Sequence, residues 1–143
     1  MKVWKSPVPK AAVEEAIRSF FARLCGGDLE GARGSVEHRW DDWDHQVWSL
    51  WQDTWLIVLE ERDEEVEDES FEGGLWRSDL HWLSQLGLEG RFHWSVSGES
   101  ATEGDSVWVN LTVEGEVTDV SAEFTVVQSA GGLVLRRDAL RMA

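Results

Sequence analysis

The stretch from Val107 to Val126, VWVNLTVEGEVTDVSAEFTV, decides the fold. Val107, Val109, Leu111 and Val113 alternate with Trp108, Asn110, Thr112 and Glu114. Beyond Glu114-Gly115-Glu116 the alternation resumes, with Val120, Ala122, Phe124 and Val126 set against Asp119, Ser121, Glu123 and Thr125. A period of two sends successive side chains to opposite faces, so each half reads as a half-buried strand, and the glycine supplies the turn between them. On the N-terminal side, Phe92, Trp94 and Val96 alternate with Arg91, His93 and Ser95; on the other, Leu133 and Leu135 follow Gly131-Gly132 and begin a strand that runs towards Met142. Consecutive strands with short turns make an antiparallel sheet, and its apolar face has to be covered by helices.

The covering elements come first in the chain. Pro9 suits a first helical turn, and Val13, Ala16, Ile17, Phe20, Phe21 and Leu24 then recur at helical spacing until Gly26-Gly27. Asp28 caps a shorter helix through Leu29 and Ala32, which Gly31 and Gly34 weaken by about 1 kcal/mol each relative to alanine. Residues 36–58, VEHRWDDWDHQVWSLWQDTWLIV, hold five of the ten tryptophans. On a helical wheel Trp40, Trp43, Val47, Trp51, Trp55 and Val58 form one stripe with Trp48 at its margin, which predicts an amphipathic helix whose indoles face the core first and a ligand second. The residues Trp55 to Glu61 also have the apolar, β-branched character of a short strand, so both assignments stand for that segment. Ser78 is placed to cap a third helix, SDLHWLSQLG, carrying Leu80, Trp82, Leu83 and Leu86 and stopping at Gly87. The expected architecture is therefore α+β: N-terminal helices packed on a curved antiparallel sheet of about four to six strands. No repeat or linker divides residues 1–143 into more than one domain.

Composition narrows the function classes. A formal net charge of −15 opposes contact with phosphates and anionic membrane surfaces, so neither nucleic acid nor membrane is expected as a partner, whereas a basic protein is compatible. The run Glu60–Gly74, EERDEEVEDESFEGG, predicts an exposed, mobile linker and lacks the alternating oxygen ligands of an EF-hand loop. The single cysteine, Cys25, cannot close an internal disulfide and ends a helix where the dipole disfavours thiolate. With no apolar run long enough to cross a bilayer, the reading is a soluble, cytoplasmic protein.

Two segments, FFARLCGGDLEGA (residues 20–32) and AEFTVVQSAGGLVLRRDALRM (residues 122–142), give the chain a pattern that resembles the nuclear transport factor two-like superfamily. The resemblance covers about a third of the chain and implies a cone-shaped α+β roll with a pocket at its open end. That superfamily spans isomerase-, cyclase- and dehydratase-type enzymes as well as proteins without activity, and fold does not choose among them. The tryptophan-rich helix and the acidic run occupy the region where the family layout has early strands; a strand at Trp55–Leu59 would lessen that conflict.

The candidate residues follow from this frame. Trp40, Trp43, Trp48, Trp51, Trp55, Trp82 and Trp94 are the expected lining of an apolar pocket for a small molecule. Asp44 lies inside the aromatic stripe on the wheel and is the candidate catalytic base; the alternative places it at the exposed first turn. Trp108, Asn110, Thr112 and Ser121 on the outward sheet face form a candidate interface, and sheet-face pairing in the resembled superfamily implies a homodimer. His38, Asp42 and His45 could approach a zinc ligand set, but an aspartate-rich surface gives the same pattern, so no metal is assigned. No cofactor is implied, since Gly26-Gly27 follows a helix and lacks a lysine-serine sequel. The absence of tyrosine weighs against ketosteroid-isomerase-like chemistry. The leading expectation is a non-enzymatic binding or interaction protein. The alternatives are a small-molecule isomerase, cyclase or dehydratase using a pocket carboxylate, and an acidic inhibitor or immunity-type protein that meets a basic partner through Glu60–Glu72.

Overall fold

In a computed structural model, described for residues 1–66 and 69–142, the alternating segments pair as read. Strands β3 (Leu86–Trp94), β5 (Ser106–Val113), β6 (Glu116–Ser129) and β7 (Gly132–Met142) run antiparallel in the order β7-β6-β5-β3. A two-residue strand, β2 (Glu37–His38), joins the outer side of β7 in parallel, making an open sheet of five strands. A separate pair, β1 (Val8–Pro9) with β4 (Ser100–Ala101), ties the chain ahead of the first helix to the loop before β5. Register follows the apolar pattern: Val109 opposes Ala122, Val107 opposes Phe124 and Val126 opposes Leu135, and all six are buried.

Helix α1 (Lys10–Cys25) lays Val13, Ile17, Phe20, Phe21 and Leu24 on that face. Phe20 meets the Phe124 ring edge-on at 5.7 Å and the Trp43 ring at 6.0 Å, which places the aromatic core between α1, β6 and the next long helix. Helix α2 (Leu29–Gly34) is capped as expected, Asp28 accepting from the Gly31 amide at 2.9 Å.

The tryptophan segment departs from a single helix at both ends. Residues 37–38 are held as strand against β7, and the Arg39 amide donates to the Arg137 carbonyl at 3.0 Å, so helix α3 begins only at Trp43 and runs to Asp53. Trp40 is therefore outside the helix and 55 % exposed. At the other end Thr54 breaks the helix. Its backbone amide and its hydroxyl both donate to the Leu50 carbonyl, and the chain restarts as α4 (Trp55–Glu61). The interruption shifts the helical phase, so Leu56 is buried where the uninterrupted wheel predicts Trp55. Residues 55–61 are thus helix, and the strand alternative is set aside. The buried stripe of α3 is Trp43, Val47, Leu50 and Trp51.

The third predicted helix is also rearranged. Residues Leu75–Ser78 form a single turn, α5, and Asp79 rather than Ser78 caps a 3₁₀ segment, Leu80–Gln85, by accepting from the His81 amide. Gly87 is a strand residue, not a helix stop; a Cβ there would stand 2.8 Å from Thr112 Oγ1 on the paired strand β5, so a larger residue would force the Thr112 side chain to move. Of the acidic run, the described carboxylates are exposed, while Val66 and Phe71 pack against the core; Glu67 and Asp68 lie outside the described residues. Among the described residues no helix is long and apolar enough to cross a membrane.

At the β6–β7 turn, Gly132 has φ +150°, and a Cβ would collide with the Trp4 carbonyl oxygen that bonds the Leu133 amide. Replacing Gly132 by alanine is expected to cost about 1–3 kcal/mol in urea unfolding. Gly90→Ala on β3, where a Cβ meets open space, should change stability by less than about 0.5 kcal/mol.

Candidate functional site

Arg137 is the polar centre of the interior. Leu133, Leu135 and Arg137 follow one another at a period of two on β7, so the strand that buries two leucines also turns a guanidinium into the core, where Arg137 is only 6 % exposed. Its Nε donates to His38 Nδ1 at 2.7 Å; its Nη2 donates to Asp42 Oδ1 at 2.9 Å and to the Trp40 carbonyl at 3.2 Å. The guanidinium carbon stands 6.0 Å from the Trp43 ring centroid. Asp42 uses its other oxygen to accept from Gln46 Nε2 at 3.0 Å. These contacts explain why Asp42 does not act as a side-chain cap for α3: both its oxygens are engaged elsewhere.

His38 Nε2 lies 2.7 Å from the Arg33 carbonyl, which can only accept, so the proton sits on Nε2 and Nδ1 is free to accept from Arg137. Burial holds this imidazole below its ordinary value; the Arg33 carbonyl works against that shift, the charges of Arg137 and Arg33 add to it, and Asp42 opposes it. His45 goes elsewhere, stacked at 5.1 Å on Phe71. The two histidines of the sequence cluster are thus committed to different neighbours, and no group of three metal-ligating side chains is found among the described residues.

The space beside Arg137 is small. Phe20, Phe21, Leu24, Trp43, Val47 and Leu50 enclose a cavity of about 30 Å³, enough for one or two waters, into which Gln46 and Arg137 also face. Arg137 Nη1 and Gln46 Oε1 are buried without a protein partner among the described residues, and the cavity walls are almost wholly apolar. Between α1, α3 and the sheet the core is filled by aromatic side chains.

The larger apolar opening is on the surface. Trp51, Trp55 and Trp82, with Leu59, Val66 and Leu75, line a cleft of about 420 Å³ between α3, α4 and the 3₁₀ segment, and Glu65, Asp79 and His81 complete its lining. Trp82 is fixed by donating its indole N–H to the Trp76 carbonyl at 2.9 Å, and Trp55 is half-buried with the Arg62 guanidinium 5.7 Å from its ring. Three of the seven predicted pocket tryptophans therefore meet in one place. The other four are dispersed. Trp43 belongs to the core, Trp48 donates to the Glu69 carbonyl beside Phe71, Trp94 lies under the Lys10 ammonium, and Trp40 is exposed beside Arg39.

Asp44 sits exposed in the first turn of α3, on an open polar hollow shared with Arg33, Asp41, Asp42 and His45, and not within apolar surroundings. On the outer sheet face Trp108 is 39 % exposed and stacks on His93 at 5.2 Å; Asn110 donates to Glu89 at 2.9 Å, Thr112 is half-buried beside Gly87, and Ser121 is buried. Burial pushes the Cys25 thiol up to about 11, so it is a poor nucleophile at neutral pH. Sequence reasoning missed Arg137, although its place on an apolar alternation was a usable signal. It also missed Trp76, which is buried with its indole N–H on the Phe71 carbonyl; two residues after Gly74 and flanked by Leu75 and Arg77, Trp76 shows no periodicity that would flag it.

Comparison of the chain with family models, with characterised proteins and with solved structures gives no match.

The His38 geometry fixes a pH dependence. Because the folded state holds the imidazole below about 6.5, the unfolded chain binds more protons as pH drops through that value. The stability due to neutral His38 is full above about 6.5 and is lost as pH falls through the lower folded value. A histidine NMR titration should show His38 protonating below about 6.5, and His38→Asn should flatten the fall in unfolding free energy over that window; an unchanged slope contradicts the assignment.

Proposed function

We propose that this chain is a binding protein that holds an apolar ligand group in the surface cleft of Trp51, Trp55 and Trp82. The observation that carries the reading is a contrast: the interior offers about 30 Å³, whereas this cleft offers about 420 Å³. The latter lies in the range of small-molecule sites, roughly 300–1,000 Å³, and has the expected make-up of apolar and aromatic walls with a few polar groups. Two of its tryptophans, Trp51 and Trp82, are buried, and Trp82 is held by its indole bond to Trp76, so the wall is pre-formed and little ordering cost opposes binding.

The order of helices followed by antiparallel strands supports the kinship in pattern with the nuclear transport factor two-like superfamily. Helix α4 argues the other way, because it occupies the segment where a strand would have matched that layout. The catalytic alternative has weaker support, since exposed Asp44 lacks the desolvation that would tune a carboxylate towards a general base.

Titration with the neutral apolar dye Nile red, followed by the ten indole N–H resonances, tests the reading. Saturable binding that shifts the signals of Trp51, Trp55 and Trp82, weakened about tenfold by Leu75→Asp at the exposed wall, is the expected result. Binding unaffected by Leu75→Asp, or shifts centred on Trp43, would overturn it.

A further inference from the structure

The opposite flank of α4 carries a second surface that the tryptophan cleft does not use. Ile57 and Val58 on α4 face Val117 and Val120 of β6 across a groove of about 250 Å³. Ile57 is 40 % and Val117 56 % exposed, so the apolar floor is open at both walls. Four carboxylates line the same groove: Asp53 and Glu61 from the helical side, Glu116 and Asp119 from the sheet side. Among the described residues no lysine, arginine or histidine lines it, and the neighbouring Arg62 is already paired with Glu114 at 2.5 Å. Burial raises the Asp53 carboxyl above its ordinary value, as expected for a carboxylate at an apolar wall.

From this juxtaposition we infer that the groove between α4 and the β5–β6 hairpin docks a basic amphipathic segment of a partner protein. Aliphatic side chains of that segment would cover Ile57 and Val117, and its lysines or arginines would pair with the four carboxylates. The argument is charge complementarity on an apolar floor. An acidic rim alone would attract any cation, and an apolar patch alone any hydrophobe, whereas the two together select a chain that presents both at once. The net charge of −15 speeds the approach of such a partner, and the groove assigns the contact to Asp53, Glu116 and Asp119, with Glu61 alone drawn from the acidic run at 60–72.

The test uses synthetic peptides and the whole chain. A lysine–leucine peptide of amphipathic helical pattern is titrated at low and high salt alongside a lysine–serine peptide of equal charge and a glutamate–leucine peptide of equal apolarity, with backbone amide shifts as the map. The expected result is binding of the lysine–leucine peptide alone, shifts confined to residues 53–61 and 113–120, and affinity lower by about tenfold at high salt. Val117→Lys, at an exposed site, should weaken that binding by about tenfold and leave Nile red binding at the tryptophan cleft unchanged. Equal binding of the lysine–serine peptide, shifts centred on residues 60–72, indifference to Val117→Lys, or self-association through Ile57 and Val117 in place of peptide binding would each overturn the inference.

Discussion

The structure depends on one buried cation. Arg137 ties β7 to β2 through His38, to the entry of α3 through Asp42 and the Trp40 carbonyl, and to the aromatic core through Trp43, spanning 95 to 99 residues of sequence in the side-chain bonds. A guanidinium taken out of water costs several kcal/mol unless its donors are satisfied, and here Nε and Nη2, which carry three of its five N–H groups, have partners, while Nη1 has none among the described residues. With that lock closed, residues 37–38 pair with the sheet, and α3 starts directly after Asp42, whose oxygens are held by Arg137 and Gln46.

The placement of the tryptophans follows. Starting α3 at Trp43 buries Trp43, Val47, Leu50 and Trp51; Trp43 meets Phe20 and, with Val47 and Leu50, narrows the space over the sheet to a small cavity, while Trp51 backs the surface cleft. The break at Thr54 then turns α4 so that its two sides face outward over different grooves: Trp55 and Leu59 over the aromatic cleft, Ile57 and Glu61 over the acidic one. The short helix α4 thus has an opening on each flank, while the aromatic core beneath α3 is filled.

The sheet was legible because period-two alternation is a property of the backbone itself, and the register shifts at Asn110/Thr112 and Glu123/Phe124 leave the pairing of the strands intact. Helix α1 was legible for the same reason at a period of 3.6. The tryptophan segment was not, because its boundaries are set by distant groups: Arg137 recruits Asp42 from across the fold, and the buried Thr54 hydroxyl competes for the Leu50 carbonyl. A helical wheel assumes continuity, so it placed Trp40 inside and Trp55 on the core side. For the site, the meeting of Trp51, Trp55 and Trp82 joins elements nearly thirty residues apart through the 3₁₀ segment, a contact that no local pattern encodes.

A double-mutant cycle on Arg137 and Asp42, read by equilibrium urea unfolding, tests the buried lock most directly. Arg137→Met and Asp42→Asn should each destabilise the protein by about 2–4 kcal/mol, and the pair should show a coupling of about 1–3 kcal/mol. Single losses below about 0.5 kcal/mol that simply add would mean that the guanidinium does not hold the start of α3 to the sheet.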